Sequence, residues 1–150
     1  METALIQIKD EVIRLLRQLD PGTDVFFEEI KSTDQDHGIT EQGTYYFVEL
    51  IPNSDTVDRL FTDVRVLVDV AYHEMNESNT AYLIKAAELD AVFRPVFHFG
   101  DRYITIPELS HKVADHVLHN TFHISFRHAR PEDTEYDVMG ELDVAVRKGE

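Results

Sequence analysis

Residues 64–73 read Val-Arg-Val-Leu-Val-Asp-Val-Ala-Tyr-His. Val64, Val66, Val68, Val70 and Tyr72 alternate with Arg65, Leu67, Asp69, Ala71 and His73. Successive side chains on a strand point to opposite faces, so this period of two places four valines and a tyrosine on one face. The segment is predicted to be a β-strand of a sheet that packs one side against a core. Upstream, Thr44–Ile51 (TYYFVELI) is aromatic and β-branched throughout and forms a second strand. Pro52-Asn53-Ser54-Asp55 reads as a turn, and Val57–Phe61 extends the 64–73 strand backwards into a long hairpin with 44–51. Downstream, Val117–His128 forms another long strand. Leu118, Phe122, Ile124 and Phe126 share one of its faces, with His119, Thr121, His123, Ser125 and Arg127 opposite. Asp115-His116 turns the chain into it.

The helices show a different period. Leu5, Ile8, Val12, Leu15, Leu16 and Leu19 recur at three- and four-residue steps, predicting an amphipathic helix over Thr3–Leu19 that Asp20-Pro21-Gly22 stops. Ser78 or Asn79 caps a second helix over Thr80–Phe93. Its wide apolar face holds Tyr82, Ala86, Leu89 and Phe93, flanked by Ile84, Ala87 and Val92, and Arg94-Pro95 ends it. Asp24–Lys31 reads as a short strand and Ser32–Gly43 as an exposed polar loop. Val96–Ile106 is a hairpin turning at Gly100-Asp101, whereas Pro107–His111 carries no clear pattern. Strands come in hairpin-sized runs rather than alternating with helices. The predicted class is therefore α+β, an antiparallel or mixed sheet with long hairpins and two α-helices on one face. Residues 1–130 form a single domain. Residues 131–150 form an acidic C-terminal arm with six carboxylates between Glu132 and Asp143 and a sparse apolar spacing at Val138, Leu142, Val144 and Val146.

Composition narrows the function. The 150 residues are 43% hydrophobic, enough for a real core. Fourteen basic against 29 acidic side chains give a formal charge of −15. Such a surface repels phosphate, which argues against gripping nucleic acid by its backbone and against an anionic membrane. The absence of Cys excludes disulfides, thiolate-held metals and cysteine nucleophiles. Lys9, Asp10, Glu11 and Arg14 interrupt the N-terminal segment too early for a signal-peptide core, so the expectation is an acidic soluble protein made and used inside a cell.

No GxGxxG, Walker loop, GxSxG or HExxH occurs. Six of the eight histidines lie between His98 and His128. His119 and His123 would flank a metal on a helix, but four residues along a strand span roughly 13 Å, too far for one ion. A polar strand face is the simpler reading. The loop Asp34–Glu41 suggests calcium, but counting from Asp34 the sixth and twelfth positions hold Ile39 and Tyr45 rather than Gly and Glu. Carboxylate neighbours such as Glu28-Glu29 and Glu132-Asp133 arise readily among so many acids. The aromatics Phe26, Phe27, Tyr45, Phe47, Phe97 and Phe99 are core candidates. No catalytic, cofactor-binding or metal-ligating residue emerges, and an assembly subunit fits better than an enzyme. The candidate partner-interface residues are Val138, Leu142, Val144 and Val146.

The whole-chain layout resembles the tail terminator (tail completion) proteins of tailed bacteriophages and of phage-tail-like particles of Gram-positive bacteria. An amphipathic helix precedes VFFEEI and YYFVELIP. VRVLVDVAYH and AYLIKAAELDAVF follow, then ITIPELSHKVADHVLHNTFHISFRH, and finally Met139-Gly-Glu-Leu142. The likeness spans roughly residues 5–145. It departs at Asp115-His116, where the family pattern leads one to expect Asp-Gly. The resemblance implies a structural virion protein that forms a homo-hexameric ring on the last ring of tail tube protein. That ring ends tube polymerisation at the head-proximal end of the virion tail and offers a surface to the tail sheath and the neck or connector proteins. It also implies assembly in the host cytoplasm, no cofactor, no membrane, and no specific nucleic-acid binding, although DNA passes through the lumen. A head–tail joining or neck adaptor is the alternative, and a small enzyme with a site built from scattered His and Asp residues is a third reading.

Overall fold

The computed structural model describes residues 2–27, 43–57, 60–76 and 78–129. The chain runs α1 (Glu2–Leu19), β1 (Asp24–Phe27), β2 (Tyr45–Val57), β3 (Phe61–His73), α2 (Asn79–Phe93), β4 (Val96–Phe99), β5 (Arg102–Thr105), β6 (Ser110–Ala114) and β7 (Val117–Ala129). Five strands form one sheet in the order β1-β2-β3-β7-β6, and β4 and β5 form a separate hairpin. β1 pairs parallel with β2, and every other pairing is antiparallel. The sheet is therefore mixed, and the fold is α+β as the sequence predicts.

The valine alternation sets the register. Val64, Val66 and Val68 lie opposite Phe126, Ile124 and Phe122 of β7, and Val68 and Val70 lie opposite Leu50 and Val48 of β2. All the valines and these β7 residues are buried on the same face. Ile8, Val12 and Leu16 of α1 and Leu89 and Phe93 of α2 pack onto that face in one continuous core, with Phe97 and Phe99 of β4. Both helices thus cover one side of the sheet. The core residues read from the sequence, Val66, Val68, Val70, Leu118, Phe122, Ile124, Phe126, Leu16 and Leu89, are all buried.

Local chemistry fixes the ends. Ser78 is the N-cap of α2, its Oγ accepting from the Ala81 N–H at 3.1 Å. Arg94 follows α2 and donates to the carbonyls of Ile106 at 3.1 Å and Pro107 at 2.9 Å, clamping the connection that leaves β5. Asp115 and His116 both have positive φ, 53° and 67°. Two such residues between paired strands make a type I′ turn, whose twist matches that of the flanking strands. The turn the sequence marks there is real, with His taking the position where Gly is commonest.

Four readings change. Pro52–Asp55 is not a turn but part of a 13-residue β2, with an irregularity in register between Pro52 and Ser54. A bulge tolerates a proline, whose missing N–H would otherwise break the ladder. Val57 accordingly belongs to β2, and β3 begins at Phe61. β6, which the sequence does not announce, occupies Ser110–Ala114 at the sheet edge. On α2, Ile84 and Ala87 face outward, and Lys85 is buried instead.

Candidate assembly surfaces

The odd-numbered residues of β3 and β7 point away from the helices, and the chain between β5 and β6 borders that side at Arg65, His123 and Ser125. That side carries mixed chemistry. Arg127 Nε donates to Asp63 Oδ1 at 2.7 Å, His119 Nδ1 lies 3.2 Å from Asp69 Oδ2, and Asn53 Nδ2 lies 3.3 Å from His123 Nε2. Tyr45 stacks on His73 with ring centroids 5.3 Å apart, and Phe26 meets Tyr45 edge-on. Phe26, Tyr45 and Phe47 therefore lie on this side, while Phe27, Phe97 and Phe99 belong to the core. His119 and His123 sit on a strand, each with a different neighbour. Among the described residues no three His, Asp or Glu side chains come together as a metal site.

A cleft of about 450 Å³ opens where the chain between β5 and β6 passes the sheet, lined by Arg65, His123, Ser125, Thr105, Pro107 and Glu108. Burial, then the neighbouring Arg65 charge, lowers the His123 pKa below the ordinary histidine value. A serine and a histidine here raise the enzyme reading. They are two residues apart on one face of the strand, about 7 Å along it, and His123 Nε2 meets Asn53 Nδ2 rather than the Ser125 hydroxyl.

A second polar cluster is internal. Lys85 Nζ lies 2.6 Å from Asp20 Oδ2 and 2.9 Å from Glu88 Oε1, above the rings of Tyr72 and Tyr46. Tyr46 donates to Asp20 and Tyr72 to Glu74. Tyr82 donates to the His116 carbonyl at 2.6 Å. Every polar group named has a partner, so the cluster fastens α1, α2, β2 and β3 together rather than waiting for a ligand. Asn120 plays the same part on the core face of β7. It is fully buried, its Nδ2 donating to the Val70 carbonyl at 2.9 Å while Oδ1 meets His111 Nδ1 at 2.6 Å.

The surfaces left for partners are apolar or strand-like. β6 is an edge strand, a ready template for pairing. The tip of the β2–β3 hairpin exposes Val57 and Leu60, 58% and 64% accessible. The outer side of α2 exposes Leu83 and Ile84, 63% and 56% accessible, in line with exposed Ala87 and Ala91. The sequence offered a signal for this last surface. Apolar residues surround α2, whereas α1 keeps a polar outer side, and a helix apolar all round is usually buried. The arm residues Val138, Leu142, Val144 and Val146 lie outside the described residues, as do the loop Asp34–Glu41 and the pairs Glu28-Glu29 and Glu132-Asp133. Among the described residues no helix is long and apolar enough to cross a membrane.

No curated protein matches the chain. The family model described as phage tail terminator protein matches residues 7–136, a span running from the first helix past the end of β7. That match covers most of the chain: it belongs to the phage tail terminator family.

Proposed function

We propose that the protein caps the head-proximal end of a phage tail as a homo-hexameric ring seated on the last ring of tube protein. The ring stops tube polymerisation and presents a surface to the neck or connector, beside the tail sheath where one exists. The observation that carries this reading is the family match over residues 7–136. Physical features support it. A closed ring needs surfaces that meet a neighbour, and the edge strand, hairpin tip and outer side of α2 supply them. A lumen that DNA traverses should repel phosphate, and a −15 subunit repeated around it does so. The particle is assembled in the host cytoplasm, and the subunit needs no cofactor and performs no catalysis.

Residues 131–150 act as an assembly arm in this reading, with Val138, Leu142, Val144 and Val146 packing on a neighbouring subunit or a tail protein. Ordering an arm costs about 1–2 kcal/mol per residue, more than four aliphatic side chains return at about 1.5–3 kcal/mol each, so backbone and polar contacts with the neighbour add to their burial in the complex. The test is electron microscopy of particles carrying either the full chain or a chain truncated after Arg130. Six copies at the head-proximal tail end, and tails of irregular length from the truncated chain, are expected. Twelve copies at a neck position would favour the adaptor reading instead. Normal tails at full occupancy from the truncated chain would remove the arm from the assembly.

A further inference from the structure

We propose that the cleft between the outer face of the sheet and the chain joining β5 to β6 is a carboxylate-binding site, anchored by Arg65, that takes an acidic side chain of an adjoining protein in the tail. The adjoining protein rests on the tail reading above, whereas the site itself does not.

Arg65 is a cation without a counter-ion. Arg14, Arg94 and Arg127 each hold a carboxylate. Arg65, exposed on β3, holds none among the described residues, although the chain has 29 acidic side chains against 14 basic ones. Asp63, two residues before it on the same face, is engaged through both oxygens by Arg127. The walls around Arg65 suit the rest of an acidic side chain. Ser125 lies directly opposite it in the pairing of β3 with β7, and Thr105 at the end of β5 lines the same cleft. Two hydroxyls thus stand ready to donate beside a guanidinium, whose planar fork matches a carboxylate. Ile104 and Pro107 add apolar wall for the methylenes and exclude water from the charge-assisted bonds. About 450 Å³ has room for a side chain and the backbone that carries it.

Two further residues set the selectivity. Burial and then Arg65 hold the His123 pKa below the ordinary histidine value, with Glu108 acting in the opposite direction and less. The imidazole therefore adds no cation of its own, and its Nε2 meets the Asn53 amide at 3.3 Å. The stronger effect of Arg65 on His123 marks it as the charge that governs this wall. Glu108 opposes any anion and opposes a dianion more, so the cleft favours a singly charged carboxylate over a phosphate. Arginines seated in such pockets are among the residues that carry the binding energy of protein interfaces.

The probe is N-acetyl-aspartate amide, whose only charge is its side-chain carboxylate. It is titrated into the full chain at about pH 7.5 while the His123 ring is followed by NMR. A saturable shift of millimolar affinity is expected, with a rise in the His123 pKa, because a bound carboxylate offsets the Arg65 charge. The neutral N-acetyl-asparagine amide should give no shift, and methyl phosphate a weaker one. Arg65→Gln should weaken binding about tenfold and Ser125→Ala about threefold, while Glu108→Gln should strengthen it about twofold. All three residues are exposed, so the variants should keep the parent's urea midpoint. Equal shifts from the aspartate and asparagine probes, or unchanged affinity in Arg65→Gln, would overturn the site. In particles, Arg65→Gln should lower the amount of the protein in purified tails severalfold. Full occupancy from that variant, with its probe binding lost, would overturn the protein partner in favour of a free small carboxylate. Absence of the unsubstituted protein from tails would overturn the tail reading, and the titration would still decide the site.

Discussion

Lys85 on α2 reaches Asp20, the residue that follows α1, with 2.6 Å between Nζ and Oδ2. The pair joins two helices that the sequence separates by the first three strands. Asp20 also accepts from Tyr46 on β2, so one carboxylate ties three elements. The Lys85 side chain is nearly buried and that of Asp20 partly so, which makes this link worth more than a surface pair and less than a fully buried one. Lys85→Met and Asp20→Asn, measured singly and together, should give a coupling of about 1–2 kcal/mol in chemical denaturation. Additive effects would show that the pair contributes nothing specific.

The same cluster sets an alkaline limit. Burial first, then the hydrogen bond to Asp20, pushes the Tyr46 hydroxyl pKa above the ordinary tyrosine value, and burial with Glu74 does the same for Tyr72. Burial lowers the Lys85 pKa, but its hydrogen bonds to Asp20 and Glu88 outweigh that and leave it raised. In all three the folded state holds its proton more tightly than the unfolded chain. Their contribution is fully present below about pH 10 and falls as pH rises through the folded values. The urea midpoint should therefore hold to about pH 10 and drop above it, and Tyr46→Phe should flatten that drop. An equal slope in the variant would remove Tyr46 from the account.

Phe122 sits at the centre of the core, in contact with Phe93 of α2 and Phe97 of β4 at centroid separations of 5.0 and 6.2 Å. Phe122→Ala should cost about 3–5 kcal/mol in denaturant unfolding. An unchanged midpoint would mean that the faces of β7 are reversed.

Gly100 turns the β4–β5 hairpin with φ +59°, and a Cβ there would stand 2.8 Å from Gln7 Oε1. The Gln7 side chain can swing aside, so the left-handed backbone is the main obstacle. Gly100→Ala should cost about 1–2 kcal/mol, read as a lower melting temperature. A variant as stable as the parent would show that the turn relaxes to another conformation.

Fifteen excess negative charges should prevent binding to duplex DNA. A gel shift at micromolar protein and about 100 mM salt is expected to show free DNA only. Retarded DNA would contradict the repulsive lumen.

Much of this fold is legible in the sequence because its long strands are buried on one side only. Val64 to Tyr72 and Leu118 to Phe126 then read as strict alternation, and the core follows from it. The errors have a common physical source, which is that the deciding partner lies far along the chain. Pro52-Asn-Ser-Asp55 has turn chemistry, yet pairing with Val64–Val66 of β3 keeps it extended. β6, Ser-His-Lys-Val-Ala, is an edge strand with its valine exposed, so it has no apolar rhythm to read. Lys85 interrupts the apolar spacing of α2 and looks like a solvent residue. Only Asp20 and two tyrosine rings, placed there by other elements, account for its burial. Ile84 and Ala87 flank the apolar face by spacing yet face outward, for the converse reason. Spacing identifies apolar residues but not which of them this chain covers by itself.

The strand order carries a consequence for timing. β3 lies between β2 and β7, and β7 is synthesised only after α2, β4, β5 and β6. Until then a nascent chain presents one whole edge of its valine strand unpaired, and α2 has no Phe122 to rest on. Contacts of such long sequence separation close slowly, because loop entropy must be overcome before the strands reward it. Folding to the finished sheet is therefore a late event, completed once the chain has passed Ala129. A ribosome-bound fragment ending before β7 should be protease-sensitive and prone to pair its open edge with other chains. The same order leaves α2 without its full support until β7 has closed beneath it.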